Sequence, residues 1–397
     1  MSSSRSTSSK PTAGKRVLII GAGISGMATA LSLHRIGWEP VIIERSAQRR
    51  TSGYFVRFAG PGYTAAESLG ILDAIPDRRD PAGRMYEVDR RGRVTPGLPL
   101  PGRGDGTPMR ILLRSDLERV LYEAVRGIVE IRFGTRPVAI TQNRDTVVAT
   151  LDDGTVETAD LLVGADGTHS TVRSLVFGPE DLYRRDFDHV LAAFAMDGQL
   201  RGLNPGDSIV ASDAGRSAWL TSFRDHPPVA FLLYRTAWPA AEVRKEPAEA
   251  LRAAFGDFGG THVPAMLDSL DSAESTFFDM VSQIKINRWS EGRVVLVGDS
   301  AWCMTSHSGQ GSGMGIAGGE LLGRLLAERP GNIAAVLGDW EQQLRPFITG
   351  QQRGALLMRH FFMPANRFGR VARSTLIRVA ASPATAAIAR AVRRSHR

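Results

Sequence analysis

Three places in the chain set glycines and an acid directly behind a short apolar run. The first is "KRVLIIGAGISGMATALSLHRIGWEPVIIER", with Gly21, Gly23 and Gly26 after one run and Glu44 after the next. The second is "LLVGADGTHSTVR", where Asp166 follows Gly164, and the third is "RVVLVGDSAWCMTSHSGQGSGMG", where Asp299 follows Gly298 and Gly309, Gln310, Gly311 and Ser312 come soon after. Apolar, β-branched runs bounded by glycine read as buried strands, so each acid stands at a strand's carboxyl end. Ligands of open α/β sheets bind at that edge.

The first stretch has the most defined chemistry. Gly21 permits a tight turn, Gly23 lets a pyrophosphate approach the backbone, and Gly26 lets helix and strand pack closely. The backbone N–H groups of Ile24, Ser25 and Gly26 open a helix and offer hydrogen bonds to phosphate. Glu44 is placed to accept from ribose hydroxyls, and Arg45 beside it is a weaker candidate for the same ligand. Strands are expected at Val17 to Ile20 and Val41 to Ile43. The fingerprint leaves open whether the dinucleotide is a nicotinamide or a flavin.

The elements that must position these groups are legible in outline. "VVATLDDGTVETADLLV" reads as a hairpin turning at Asp153-Gly154, followed by a strand from Leu161 to Val163. Pro179 to Ile284 holds short runs such as "HVLAAFAM", "SAWLTSF" and "VAFLLYRT" separated by turn residues, the pattern of a second sheet. An apolar helical segment is expected over Ile316 to Leu326. Beyond it "IAAVLGDWEQQL", "GALLMRHFFM" and "STLIRVAASPATAAIARAVRRSHR" read as helices punctuated by Pro364 and Pro383.

Composition narrows the class. A chain of 397 residues with 43% apolar residues is that of a folded protein with a sizeable core. It has one cysteine, Cys303, which excludes an intrachain disulfide and paired-thiol redox chemistry and argues against a structural zinc site; no metal is expected. No apolar run is long enough for a membrane span, and "MSSSRSTSSKPTAGK" lacks a signal peptide's apolar core, so a cytoplasmic protein with a disordered tail is expected. Eleven arginines and no acid between Gln342 and Arg397 account for more than the whole net charge of +8. Only four of 49 basic residues are lysine. A general preference for arginine therefore explains the basicity better than a nucleic-acid partner does.

The three motifs, in this order and spacing, resemble those of the single-component FAD-dependent aromatic hydroxylases with the para-hydroxybenzoate hydroxylase fold. "GYFVRFAGPGYTAAESLGIL" and "ILLRSDLERVL" resemble the tetracycline- and polyketide-modifying members. The resemblance runs from about Lys15 to Leu326. It implies an α/β protein: a Rossmann-like FAD-binding domain (14–72, 104–178 and 284–330), an inserted β-sheet substrate domain (73–103 and 179–283), a C-terminal helical region (331–397) and a tail over 1–13. It implies that Asp299 accepts from the ribityl chain, that Gly309, Gln310, Gly311 and Ser312 face the pyrimidine side of the isoalloxazine, that Asp166, a cofactor-binding residue, and Arg173 belong to an Asp-Gly motif that helps both FAD and the reduced nicotinamide bind, and that Arg114 lies along the flavin. The implied reaction is reduction of FAD by NADPH or NADH, addition of oxygen at C4a, and transfer of one oxygen atom from the hydroperoxyflavin to an aromatic or polycyclic small molecule, in antibiotic or other secondary metabolism. The partners are then substrate and O2, with no nucleic acid, in a monomer or homodimer; no charged catalytic residue is assigned.

Some positions depart from the family. Trp302 replaces a usual His or Tyr, Thr305 and Ser306 stand where proline precedes Gly-Gln-Gly, and Arg57 occupies a position often held by an acid. The first three are expected to touch the flavin's environment, which leaves a flavin- or ligand-binding protein without oxygenase activity as the alternative. His169 and His307 read as solvated loop histidines, and Cys303 as a packing residue rather than a flavin attachment point. Phe223, Tyr234 and Met280 are pocket candidates for which core packing is the better reading. The halogenase Trp-x-Trp-x-Ile-Pro and Baeyer-Villiger signatures are absent, and a dehydrogenase binding NAD through Glu44 leaves Asp299 and Gly-Gln-Gly unexplained.

Overall fold

The structure, a computed structural model, describes residues 14–49, 54–97, 108–198, 202–204, 206–305, 308–364 and 369. The 1–13 tail, Ser306, His307 and the segment with Pro383 lie outside the described residues.

A six-stranded sheet carries the three motifs, in the spatial order Ser290–Glu291, Val294–Leu296, Leu161–Gly164, Arg16–Ile20, Glu39–Glu44, Glu130–Phe133. All but the two-residue edge strand are parallel. Parallel strands are buried on both faces, and Val17, Ile19, Ile42, Ile43, Leu161 to Val163 and Val294 to Leu296 are fully buried. The register aligns Ile20 with Gly164 and with Ile43, and Gly164 with Leu296. Gly21, Glu44, Asp166 and Asp299 therefore emerge along one edge of the sheet.

The helix Ile24–Arg35 follows the first strand, and the 18-residue helix Gly311–Glu328 lies across it. The latter carries glycine at 311, 313, 315, 318, 319 and 323, each costing about 1 kcal/mol relative to alanine in an isolated helix. Packing overrides that penalty. A Cβ on Gly315, Gly319 or Gly323 would come within 2.4, 2.6 or 2.2 Å of the Ser25, Thr29 or Ser32 side chain. On another side Gly313 receives Gly62 of the helix Pro61–Ser68, whose own added Cβ would lie 2.4 Å from the Gly313 Cα. Helical structure thus begins five residues before the expected Ile316, because the Gly-Gln-Gly motif itself forms the cap and first turn.

A seven-stranded sheet forms the second layer, in the order Phe277–Ile284, Arg184–Ala195, Val229–Arg235, Arg216–Thr221, Ser208–Asp213, Met85–Val88, Val94–Pro96. One face packs on the helices Pro247–Phe255 and His262–Asp268 through Val190, Leu232, Leu251 and Phe255. Tyr234 belongs to that helix-side core. Met280 pairs with Val190 across the sheet and so shares the same face, away from the cleft. The opposite face meets the two-stranded sheet Phe55–Ala59 with Met109–Leu113, and Phe223 and Val229 pack there against Leu113, Phe55 and Ile111.

The expected helices at "IAAVLGDWEQQL" and "GALLMRHFFM" are one helix, Ile333–Phe362, with Pro346 inside it. Side-chain anchors hold the Pro346 region: Arg345 donates to the carbonyls of Ile286 and Asn287 and lies 4.4 Å over the Trp289 ring. Trp302, expected near the flavin, is instead buried in a cluster with Trp289 and Trp340 at centroid distances of 4.6 and 5.6 Å. Trp340 Nε1 donates to the Gly318 carbonyl at 2.8 Å.

Glycine substitutions in the two long helices are expected to act with opposite sign. Gly319→Ala forces a Cβ against Thr29 and should destabilise by about 1–3 kcal/mol, whereas Gly338→Ala meets open space and should stabilise by about 0.5–1 kcal/mol. Urea denaturation of both variants checks this, and equal effects would contradict the packing described.

Candidate functional site

The sheet edge gathers the predicted residues, and local hydrogen bonds fix Glu44 and Asp166 among them. Gly21 has φ 109°, open to glycine and disfavoured for other residues, and a Cβ there would lie 2.4 Å from the Ala165 carbonyl oxygen. Gly26 is tighter still, since its Cβ would approach the Gly21 oxygen to 1.9 Å. Gly23, by contrast, faces open space. The two crowded glycines are needed by the fold, and the uncrowded one leaves room for a ligand. Glu44 holds this loop in shape: its Oε2 accepts from Ala22 N at 2.9 Å and its Oε1 from Ser46 N at 2.8 Å. Each oxygen retains a lone pair for a hydroxyl. Arg45 is exposed at the same edge. The Ser25 hydroxyl lies close to Gly298 and Gly315, where an added Cβ would meet it.

The second motif is braced to the third. Asp166 accepts from Ser170 Oγ at 2.5 Å and from Val172 N at 3.1 Å, which caps the short helix Thr171–Val176. Burial raises its pKa while those hydrogen bonds lower it. Arg173 is fully buried and donates to the Ser300 carbonyl at 2.9 Å and the Thr168 carbonyl at 2.6 Å. Ser300 Oγ donates to the Gly164 carbonyl at 2.6 Å. These bonds tie the Asp-Gly loop to the Gly-Asp loop across the strands, and neither partner residue's position is evident from its own segment. Arg173 and Asp166 are thus scaffold for the edge, a role the sequence did not reveal.

Asp299 has a different environment. Its side chain is exposed, and no hydrogen bond to it is formed among the described residues. Surrounding protein raises its pKa by desolvation, with Arg114 pulling it back. Arg114 begins the helix Arg114–Val125 and pairs with Glu118 at 2.7 Å. Burial lowers its pKa, but Glu118, Tyr54 and Asp299 together raise it above the ordinary value. Gly309 (φ 60°) faces open space, and the Gly311 backbone lies beside the Asp299 carboxylate. Gln310 is buried at the head of the glycine helix. Ser312 lies in that helix's first turn, half-buried.

A phosphate- and hydroxyl-bearing flavin dinucleotide fits these residues. Both helices that converge on the edge start without a side-chain cap and without an acid in the first turn. Each end therefore presents free N–H groups and about half a unit of positive charge. An unpartnered carboxylate and glycines facing open space lie beside them. Cys303 is half-buried, and burial pushes its thiol up to about 12, so it carries no thiolate for covalent attachment. His169 is exposed and contacts Glu180 at 3.1 Å. Among the described residues no cluster of three or more His, Cys, Asp or Glu is arranged for a metal ion, and no helix is long and apolar enough to cross a membrane. A separate recess of about 450 Å³, lined by Arg16, Trp38 and Ile128 among others, lies at the strands' amino ends, away from the three motifs.

Between the two layers an aromatic wall borders the cleft. Tyr54 meets Phe231 and Phe277 edge-on at 6.1 and 5.6 Å, and Phe55 lies 5.7 Å from Phe231. A dinucleotide-binding edge with a second sheet packed beside it is the two-layered arrangement of a flavoprotein. The chain belongs to the FAD binding domain family, which it matches over residues 15–334, and is an FAD-dependent monooxygenase in class. A flavin-dependent monooxygenase of Legionella longbeachae serogroup 1 (strain NSW150) is 29% identical over 355 residues, covering 88% of this chain and 90% of the relative. The flavin-dependent monooxygenase eupH of a Phoma species is 30% identical over 386 residues, covering 89% of each. Among solved structures, tetracycline destructase Tet(51) superposes with a TM-score of 0.75 at 27% identity, covering 93% of this chain and 96% of that one. Klebsiella pneumoniae HpxO complexed with FAD and uric acid shares the fold, with a TM-score of 0.77 at 21% identity over 92% of each chain.

Asp299→Ala removes an acceptor for which alanine offers no substitute. Losing a hydrogen bond to a charged group should weaken FAD by about ten- to a hundredfold, so the variant should be purified folded and largely colourless. A fully yellow variant with wild-type FAD affinity would contradict the assignment.

Proposed function

We propose that the enzyme uses NADPH or NADH and O2 to hydroxylate, or otherwise insert oxygen into, an aromatic or polycyclic small molecule of secondary metabolism. The observation that carries this is the unpartnered Asp299 carboxylate between two uncapped helix N-termini, facing an aromatic-walled cleft. The likeness to a tetracycline destructase supports the substrate class.

In this reading Gly23, Ile24, Ser25 and Gly26 hold the pyrophosphate through backbone N–H groups, and Glu44, with Arg45 nearby, holds the adenosine ribose. Asp299 accepts from the ribityl hydroxyls. Gly309, Gln310, Gly311 and Ser312 set the helix's positive end against the pyrimidine edge, where a reduced flavin gathers negative charge. Arg114, held by Glu118, adds a fixed cation along the ring. Asp166 keeps the Asp-Gly loop in place. FAD supplies the redox and oxygen chemistry. The chain's own work is to bind, to orient and to keep water from the cleft, which explains why no acid-base dyad is needed there.

The purified protein, supplied with FAD, should show the two visible bands of oxidised flavin. They should bleach on NADPH or NADH addition without air and return with oxygen, and substrate should accelerate nicotinamide oxidation with one oxygen atom from O2 found in the product. Flavin that binds but is never reduced by either nicotinamide would count against the monooxygenase reading and favour a binding protein.

A further inference from the structure

We propose that Arg57 is the substrate-recognition residue of the cleft and pairs with an anionic oxygen, a carboxylate or phenolate, on a planar aromatic substrate. The inference rests on the monooxygenase reading of the same cleft and adds the charge of its substrate.

Strand register places the residue. Phe55 pairs with Leu113 and Arg57 with Ile111 in the two-stranded sheet, and side chains two apart share a face. Phe55, Ile111 and Leu113 pack against Phe223 and Val229 of the seven-stranded sheet, while Val56, Phe58 and Leu112 on the reverse face are buried in the main core. Arg57 therefore emerges on the face turned toward the second sheet, next to the Phe55–Phe231 contact. It is nonetheless exposed there, between half-buried Phe55 and buried Ala59.

Charge makes the position informative. The Arg57 side chain has no hydrogen bond, ion pair or ring contact among the described residues. The arginines around it all do. Arg78 is bound to Asp116 at 2.7 Å, Arg79 to Asp77 at 2.6 Å, Arg110 to the Leu72 carbonyl at 2.5 Å and Arg114 to Glu118 at 2.7 Å. The nearby acids Asp77, Asp116 and Glu118 are thus already engaged, which leaves the Arg57 guanidinium without a protein counter-charge. A planar guanidinium accepts a carboxylate in a two-bond fork and lies readily against aromatic faces. Two residues along the strand from Phe55, whose ring meets Phe231, the matching ligand is an aromatic ring with an acidic oxygen.

The test is a titration of the FAD-loaded protein with matched acids and amides, 2-naphthoate against 2-naphthamide and 4-hydroxybenzoate against 4-hydroxybenzamide, read as perturbation of the flavin absorption. Acids should bind about tenfold more tightly than their amides. Arg57→Met should erase that difference with FAD content unchanged, and Arg57→Lys should retain part of it. Equal binding of acid and amide, no binding of any acid at about 10 mM, or a preference that survives Arg57→Met would overturn the proposal. Loss of FAD from Arg57→Met would also overturn it and assign the guanidinium to the cofactor. A wild-type chain that takes up no FAD would bring down the monooxygenase reading as well, which separates the two failures.

Discussion

The contact on which the site depends is the close crossing of the helices Ile24–Arg35 and Gly311–Glu328. No side chain larger than hydrogen fits at Gly315, Gly319 or Gly323 without displacing Ser25, Thr29 or Ser32. That closeness brings the N-terminus of the fingerprint helix and the N-terminus of the glycine helix to the same sheet edge, so one extended dinucleotide can meet both positive ends. The helix would be a poor one in isolation. Its glycines lower intrinsic stability, and its persistence comes from burial against three neighbours, including the Trp302 ring 3.0 Å from the position of a Gly318 Cβ.

The parallel register supplies the second dimension. Strands from distant parts of the chain end level with one another, and Arg173 and Ser300 lock two of the resulting loops together with hydrogen bonds buried from water. Buried hydrogen bonds of this kind are costly to break. The edge is consequently rigid on the side of the second and third motifs. Asp299, in the same loops, is left without a bond and exposed. Adjacent residues thus differ in environment: Ser300 holds the loop, and Asp299 faces outward.

Much of this was legible in the sequence because it is local. Apolar runs identify buried strands, a glycine that opens a turn is visible beside its strand, and acids at strand ends point to the ligand edge. The family likeness added the order of the motifs and the second sheet, and the matches to flavin-dependent monooxygenases agree with it. What remained hidden is long-range. The helix start at Gly311 contradicts glycine's propensity and follows only from the contact with Ser25 and Thr29. Trp302 looks like a flavin neighbour until Trp289 and Trp340, remote in sequence, are seen to enclose it. The run from Ile333 to Phe362 reads as two helices rather than one because the anchors that hold its middle, the Ile286 and Asn287 carbonyls, belong to another segment. The face on which Arg57 emerges depends on its pairing with Ile111, which no local pattern reveals.

The most direct test of this account is an experimental structure of the protein with FAD bound. The account places the pyrophosphate against the Gly23 to Gly26 backbone, a ribityl hydroxyl on Asp299 and the pyrimidine edge of the ring at Gly309 to Ser312, with the two helices crossing as described. A flavin bound elsewhere, or one reached only by separating those helices, would contradict the claim that their close packing builds the cofactor site.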